Sequence, residues 1–190
     1  MFKGLCLSAV AAIVVAAPVC AQSTRISEDR DSFQFTLNGA SVTIERSGPA
    51  CPPSCLQPMQ AASGVATIGE LEVMDFLDLF VSTGQGLLID ARLPDSYSAE
   101  TIPGAVNVPA ATLRPDNQYR DDLLNALGVK AGDYTGAYDL VIFAGGPDAA
   151  QAAKAVRDLL GAGYPPSKLK YYRGGLRAWT TAGLSTVSGQ

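Results

Sequence analysis

Beyond residue 85, short apolar runs alternate with segments whose apolar residues recur every three to four positions. Residues 86–91 (GLLIDA), 102–108, 140–143 and 169–172 are brief and apolar, as strands buried on both faces are. Residues 120–127, 149–160 and 175–181 have helical spacing; Gly128 stops the first, and Gly161 and Gly163 the second. Upstream, Thr67-Ile68-Gly69-Glu70 has the capping-box spacing and opens a helix carrying Leu71, Met74, Leu77 and Phe80. Strands separated by helices predict an α/β fold, a parallel sheet with helices on both faces.

Residues 32–46 follow a different rhythm. Phe33, Phe35 and Leu37 alternate with polar residues, as do Val42 and Ile44, and Asn38-Gly39 lies between the two runs. This pair tolerates the positive φ values of a tight turn, so an N-terminal β-hairpin is expected ahead of the α/β domain. A polar, small-residue linker follows at residues 57–66.

The first residues bear on compartment. Lys3 precedes the apolar residues 5–17, and Val19-Cys20-Ala21 fits the small-residue rule for signal cleavage. The run is short for a membrane span. The expectation is a cleaved signal peptide at 1–21, a hairpin and CPPSC segment at 22–62, and one domain at 63–190. That implies a periplasmic protein with no membrane attachment after cleavage. The chain carries 14 basic and 18 acidic residues, a net charge of −4, and loss of Lys3 makes it one unit more negative. This charge argues against nucleic acid and anionic lipid as partners.

Histidine is absent from all 190 residues. Ser-His-Asp, Cys-His and His-based zinc chemistry are therefore excluded within this chain. No cofactor is called for. Outside the expected signal peptide only Cys51 and Cys55 remain, in the C-x3-C sequence CPPSC. Three readings stand for the pair. It forms a small disulfide, turned at Pro52-Pro53; it is a redox-active thiol pair; or, with Met59, it is a soft ligand set suited to Cu(I).

Residues 139–153 (DLVIFAGGPDAAQAA) read as a buried strand, a glycine turn and a helix start. Free backbone N–H groups converge at such a helix N-terminus and make an anion cradle. The cradle usually presents a nucleophile or a lysine. Here it presents Ala144, Gly145, Gly146, Pro147, Asp148, Ala149 and Ala150. Pro147 removes one N–H donor, and Asp148 either caps the helix or places a negative charge where an anion would sit. Asp90 and Arg92 fall at the end of a parallel strand, where open α/β sheets place their sites. They serve as an ion pair or cap supporting the adjacent loop, and Tyr97 and Trp179 as core aromatics.

LLIDARLPDSYSAETIPGAVNVP at 87–109 resembles the rhodanese-like domain, through Asp90, Arg92, Tyr97, Ile102, Pro103, Gly104, Ala105 and Asn107. GYPPSKLKYYRGGLRAWTTAGL at 163–184 resembles the family's C-terminal signature, through Gly163-Tyr164, Gly174-Gly175, Trp179 and Gly183. The resemblance covers about 120 residues and implies a single rhodanese-like domain. In active members a cysteine directly follows the central strand and carries sulfane sulfur. That position is Ala144, and residues 140–155 contain no cysteine. The family's usual Arg and Ser near the helix start fall on Ala149 and Ala150, and its frequent His before Ile-Pro-Gly-Ala on Thr101.

These features imply a catalytically silent, exported rhodanese-like module that binds a periplasmic protein through residues 144–150 and Arg173. The alternative is a sulfurtransferase, thiol-redox or copper-handling factor that works through Cys51 and Cys55, the extension folding back to present a thiol to the cradle.

Overall fold

The computed structural model describes residues 24–190. The expected signal peptide lies outside them. The chain forms β1 (Phe33–Leu37), β2 (Ala40–Ile44), β3 (Ala66–Thr67), α1 (Glu70–Phe76), β4 (Gly86–Asp90), α2 (Pro94–Ala99) and β5 (Ala105–Asn107). Then follow α3 (Arg120–Ala126), β6 (Asp139–Phe143), α4 (Ala150–Ala162), β7 (Leu169–Tyr172) and α5 (Gly175–Thr181).

β1 and β2 pair as the expected antiparallel hairpin, with Asn38 and Gly39 both at positive φ in the turn. The other five strands form one parallel sheet in the order β3-β7-β6-β4-β5. Alternation along its strands divides the core. Ile89, Leu140, Ile142, Leu169 and Tyr171 point to one face, covered by Ala152, Ala153, Val156 and Leu159 of α4. Leu88, Val141, Phe143 and Tyr172 point to the other, covered by Val73 and Phe76 of α1 and Leu176 and Trp179 of α5. A sheet covered on both faces needs apolar residues at consecutive strand positions, which is why its strands lack polar alternation.

Two local expectations fail near α1. Its buried residues are Val73 and Phe76, with Leu77 and Phe80 of the following π-type turn (Leu77–Val81) partly buried, whereas Leu71 and Met74 face solvent. Both sets fit helical spacing, and packing against the sheet selects the set that includes Phe76. The helix is entered at Gly69, whose N–H donates to Glu72 Oε2 at 2.9 Å. Thr67 does not cap it: this residue lies in β3, and its hydroxyl donates to the Met59 carbonyl at 2.6 Å. α4 runs through Gly161 to Ala162 and ends on Gly163 at φ 102°. Gly161 is helical there and does not stop it.

Candidate functional site

β6 delivers the chain to the central C-terminal edge of the sheet, and residues 144–149 turn it into α4. Ala144 is buried. Its carbonyl accepts the Leu176 N–H at 2.9 Å, and the Gly145 carbonyl accepts the Arg177 N–H at 3.0 Å, so α5 holds the loop from below. Gly175 permits this approach. It has φ +61°, and a Cβ there would fall 2.3 Å from the Ala144 carbonyl oxygen. The cradle reading thus acquires a firm backbone, but every side chain from Ala144 to Pro147 is free of titratable or nucleophilic atoms.

Asp148 does not cap α4, which starts after Ala149 with no side-chain cap. Its carboxylate is buried between two cations. Arg46 Nη2 donates to Oδ2 at 3.2 Å, and Arg177 Nη2 lies 2.8 Å from Oδ1, out of line for a hydrogen bond. The first contact dominates the geometry, because the Arg46 and Asp148 side chains are only 12% and 9% exposed while Arg177 is 59% exposed. Screening by water weakens the Arg177 contact.

The segment before β3 supplies the rest of the cover. Gln57 N–H donates to the Pro147 carbonyl at 2.8 Å. The Gln57 carbonyl accepts Arg173 Nε at 3.0 Å and Nη2 at 2.8 Å, and its side-chain amide donates to the Cys55 carbonyl at 2.9 Å. Arg46 Nη1 also reaches the Pro49 carbonyl at 3.3 Å. Arg173, expected to face a partner, is thus engaged by the chain's own extension. Gln57, Arg46 and Arg177 escaped the sequence reading. Gln57 acts largely through its backbone, and no local spacing marks either arginine.

Cys51 and Cys55 are bonded to each other, with Cα atoms 4.7 Å apart. Both are buried, Cys55 almost completely. Joined in this disulfide the two sulfurs supply no thiolate pair for Cu(I), and Met59 is 68% exposed. Among the described residues, no group of three or more His, Cys, Asp or Glu side chains could hold a metal ion. The extension does fold back over the loop, but it presents the Gln57 backbone there, not a thiol.

Asp90 and Arg92 form an ion pair one strand away. Asp90 is fully buried and pairs in register with Phe143. It accepts the Arg92 backbone N–H at 3.0 Å, Nε at 2.9 and 3.1 Å and Nη2 at 2.6 Å, and the Thr101 hydroxyl at 2.9 Å. Asn107 Nδ2 donates to the carbonyls of Asp90 and Arg92, both at 3.0 Å. All these partners are internal, so the cluster fixes the loop after β4. Tyr97 and Trp179 are buried, and donate to the carbonyls of Ala105 at 3.1 Å and Ser185 at 2.8 Å.

On the far side of Arg173, Tyr172 donates to Glu70 Oε1 at 2.8 Å. Burial first, and the Glu70 carboxylate second, push its phenol well above the usual tyrosine range. Burial does the same to Tyr164, with Asp139 adding to it.

A parallel α/β sheet with a glycine-rich loop at the head of its central helix defines the class. Residues 74–182 match the family described as "Rhodanese-like domain", and the chain belongs to that family. Among solved structures, it is similar to the thiosulfate sulfurtransferase of Pseudomonas aeruginosa, at 26% identity over 66% of this chain with a TM-score of 0.46. The chain spans only 21% of that protein's length. It is similar also to the BH2092 protein of Bacillus halodurans (15% identity, 65% of this chain and 77% of that one, TM-score 0.51), a likeness of fold alone. The third is RPA3614 of Rhodopseudomonas palustris, described as a possible tyrosine phosphatase (19% identity, 66% and 86% covered, TM-score 0.47). No curated protein matches the chain.

Proposed function

We propose that this is a rhodanese-like domain without sulfurtransferase activity, exported to the periplasm and serving as a binding or scaffold module for a protein partner. The observation that carries this reading is the state of the loop after β6. Its first residue, Ala144, is buried and unreactive, and the following carboxylate and carbonyl are taken up by Arg46 and Gln57 of the same chain. Thiosulfate would need donors and positive charge at this point. It would meet Asp148, the proline at 147 and a covering segment. Arg173 and the loop bind the extension, so the partner is met elsewhere on the module.

Purified protein incubated with thiosulfate and cyanide should form no thiocyanate above the background of a heat-denatured control. Turnover that survives Cys51→Ala/Cys55→Ala overturns the reading.

A second reading, sulfur or electron transfer by the cysteine pair, is favoured by one observation: Cys55 lies two residues from Gln57, which touches the loop. It requires reductive opening of the disulfide. Mass spectrometry of the reduced protein after treatment with a persulfide donor, seeking a sulfur adduct on Cys51 or Cys55, separates the two readings.

A further inference from the structure

The β1–β2 hairpin is two-faced. Its register places Phe33 opposite Ile44, Phe35 opposite Val42 and Leu37 opposite Ala40, so one face is wholly apolar. The other carries Gln34, Thr36, Ser41 and Thr43, with Gln34 Nε2 donating to Thr43 Oγ1 at 3.1 Å. Folded proteins bury such an apolar face. This one is open: Phe33 is 43%, Phe35 37%, Leu37 55% and Ile44 50% exposed, and Arg30 stands over the Phe33 ring at 5.6 Å.

Its edges are unguarded as well. Natural sheets blunt a free edge with charge, proline or a bulge. Residues 32–44 contain no charged residue and no proline, and the β1–β2 register is unbroken. In a hairpin with a two-residue turn, the flanking residues bond to each other. Phe33, Phe35 and Leu37 therefore bond inward to β2, and the N–H and C=O groups of Gln34 and Thr36 point away from it. A two-stranded hairpin is marginal in water, whereas more strands with a shared apolar face are stable.

We propose that β1 pairs antiparallel with β1 of a second copy of this chain, about a two-fold axis at Phe35. That register places Gln34 opposite Thr36 of the second copy, joining their outward backbone groups. It also sets Phe33 opposite Leu37 and Phe35 opposite itself, so the two apolar faces merge into one four-stranded sheet. Uncharged residues throughout offer nothing that selects a charged partner, and an identical strand matches the pattern without adjustment. Area sets the strength. Edge pairing joins two five-residue strands about 4.8 Å apart and leaves the merged apolar face itself in solvent, so each copy hides little more than one strand edge. Standard interfaces take about 800 Å² per partner. The dimer is therefore reversible and forms with rising concentration. The inference rests on the proposed role as a binding module, and gives that module its means of self-association.

Sedimentation equilibrium of the full chain tests it, and reads mass independently of sulfur transfer. The average mass should rise from one chain near 1 µM toward two chains near about 500 µM. Thr36→Pro deletes one outward N–H without breaking the bonds to β2 and should hold the protein monomeric. Phe35→Lys and Phe35→Glu, each like-charged at the axis, should do the same, and their equimolar mixture should regain the dimer. A wild type that stays monomeric throughout overturns the proposal, including one whose hairpin instead takes up phosphatidylcholine vesicles. So does dimerisation of the variants at wild-type concentrations, or a mixture that remains monomeric. Thiocyanate formation by a dimeric protein would overturn the functional reading and leave the dimer standing.

Discussion

Arg46 and Asp148 meet at 3.2 Å across 102 residues of sequence, joining the N-terminal extension to the loop after the central strand. The contact is nearly dry, and its second cation, Arg177, is largely in solvent. A buried pair broken on one side leaves a charge without its best partner, at a cost of several kcal/mol in the fully buried limit. Arg177 moderates this. Arg46→Ala should therefore destabilise the protein by about 1–3 kcal/mol, read from the urea midpoint. It should also speed proteolytic cleavage within residues 24–60. Unchanged cleavage would mean that Gln57 and the disulfide alone seat the extension.

The disulfide closes a very short loop, between Cys51 and Cys55. Chain-entropy arguments assign so small a ring about 2 kcal/mol. Cys51→Ser/Cys55→Ser should lower stability by roughly that amount while leaving the sheet and its helices folded, since neither cysteine belongs to the two cores on the sheet faces. The measurement is chemical denaturation of the variant against wild type, with far-ultraviolet circular dichroism confirming the retained fold. Loss of the whole fold would give the pair a larger structural role than its ring size supports.

Legibility of this chain followed the range of the interaction. The strands, the hairpin and the position of the glycine turn after Phe143 were readable, because hydrophobic periodicity and turn residues are local properties. The two-residue strand β3 was not: Ala66-Thr67 exists as a strand only because β7 offers it an edge. The face of α1 was ambiguous, because Leu71 and Met74 satisfy the same spacing as Val73 and Phe76. At the candidate site, Asp90 and Arg92 were legible as a pair two residues apart. The cap alternative for Asp148 fails, and its ion pair was not legible, since its partner Arg46 lies in a different part of the chain.

Asp90 carries the largest expected effect of any single polar residue here. It is fully buried and accepts hydrogen bonds from Arg92 and Thr101. Asp90→Ala leaves the partly buried Arg92 guanidinium without its carboxylate and should cost more than about 3 kcal/mol. A loss under 1 kcal/mol in urea denaturation would show that water reaches Arg92 readily.

Alkaline pH should weaken the fold. The phenols of Tyr172 and Tyr164 have pKa values raised in the folded protein, chiefly by burial. Their neutral forms are stabilised relative to the unfolded chain, where tyrosine ionises near pH 10. That stability is complete below pH 10 and is lost progressively as pH rises toward the folded values. The urea midpoint should fall above pH 10, and Tyr172→Phe should reduce the slope. Tyrosinate absorbance that appears near pH 10 for all seven tyrosines before unfolding would contradict the raised values.

A thiol placed at the head of the loop should not by itself confer sulfur transfer. Ala144→Cys would place sulfur at a buried position, beneath a loop whose carboxylate is held by Arg46 and whose Pro147 carbonyl is held by Gln57. Thiosulfate must displace that cover and approach Asp148, and Pro147 offers no N–H to the developing charge. Thiocyanate formation by the single variant should stay near the background of a heat-denatured control. Adding Arg46→Ala and Asp148→Ala should raise it further than either does alone, because both changes open the same approach. Efficient turnover in Ala144→Cys by itself would show that the extension leaves the loop freely enough to admit substrate.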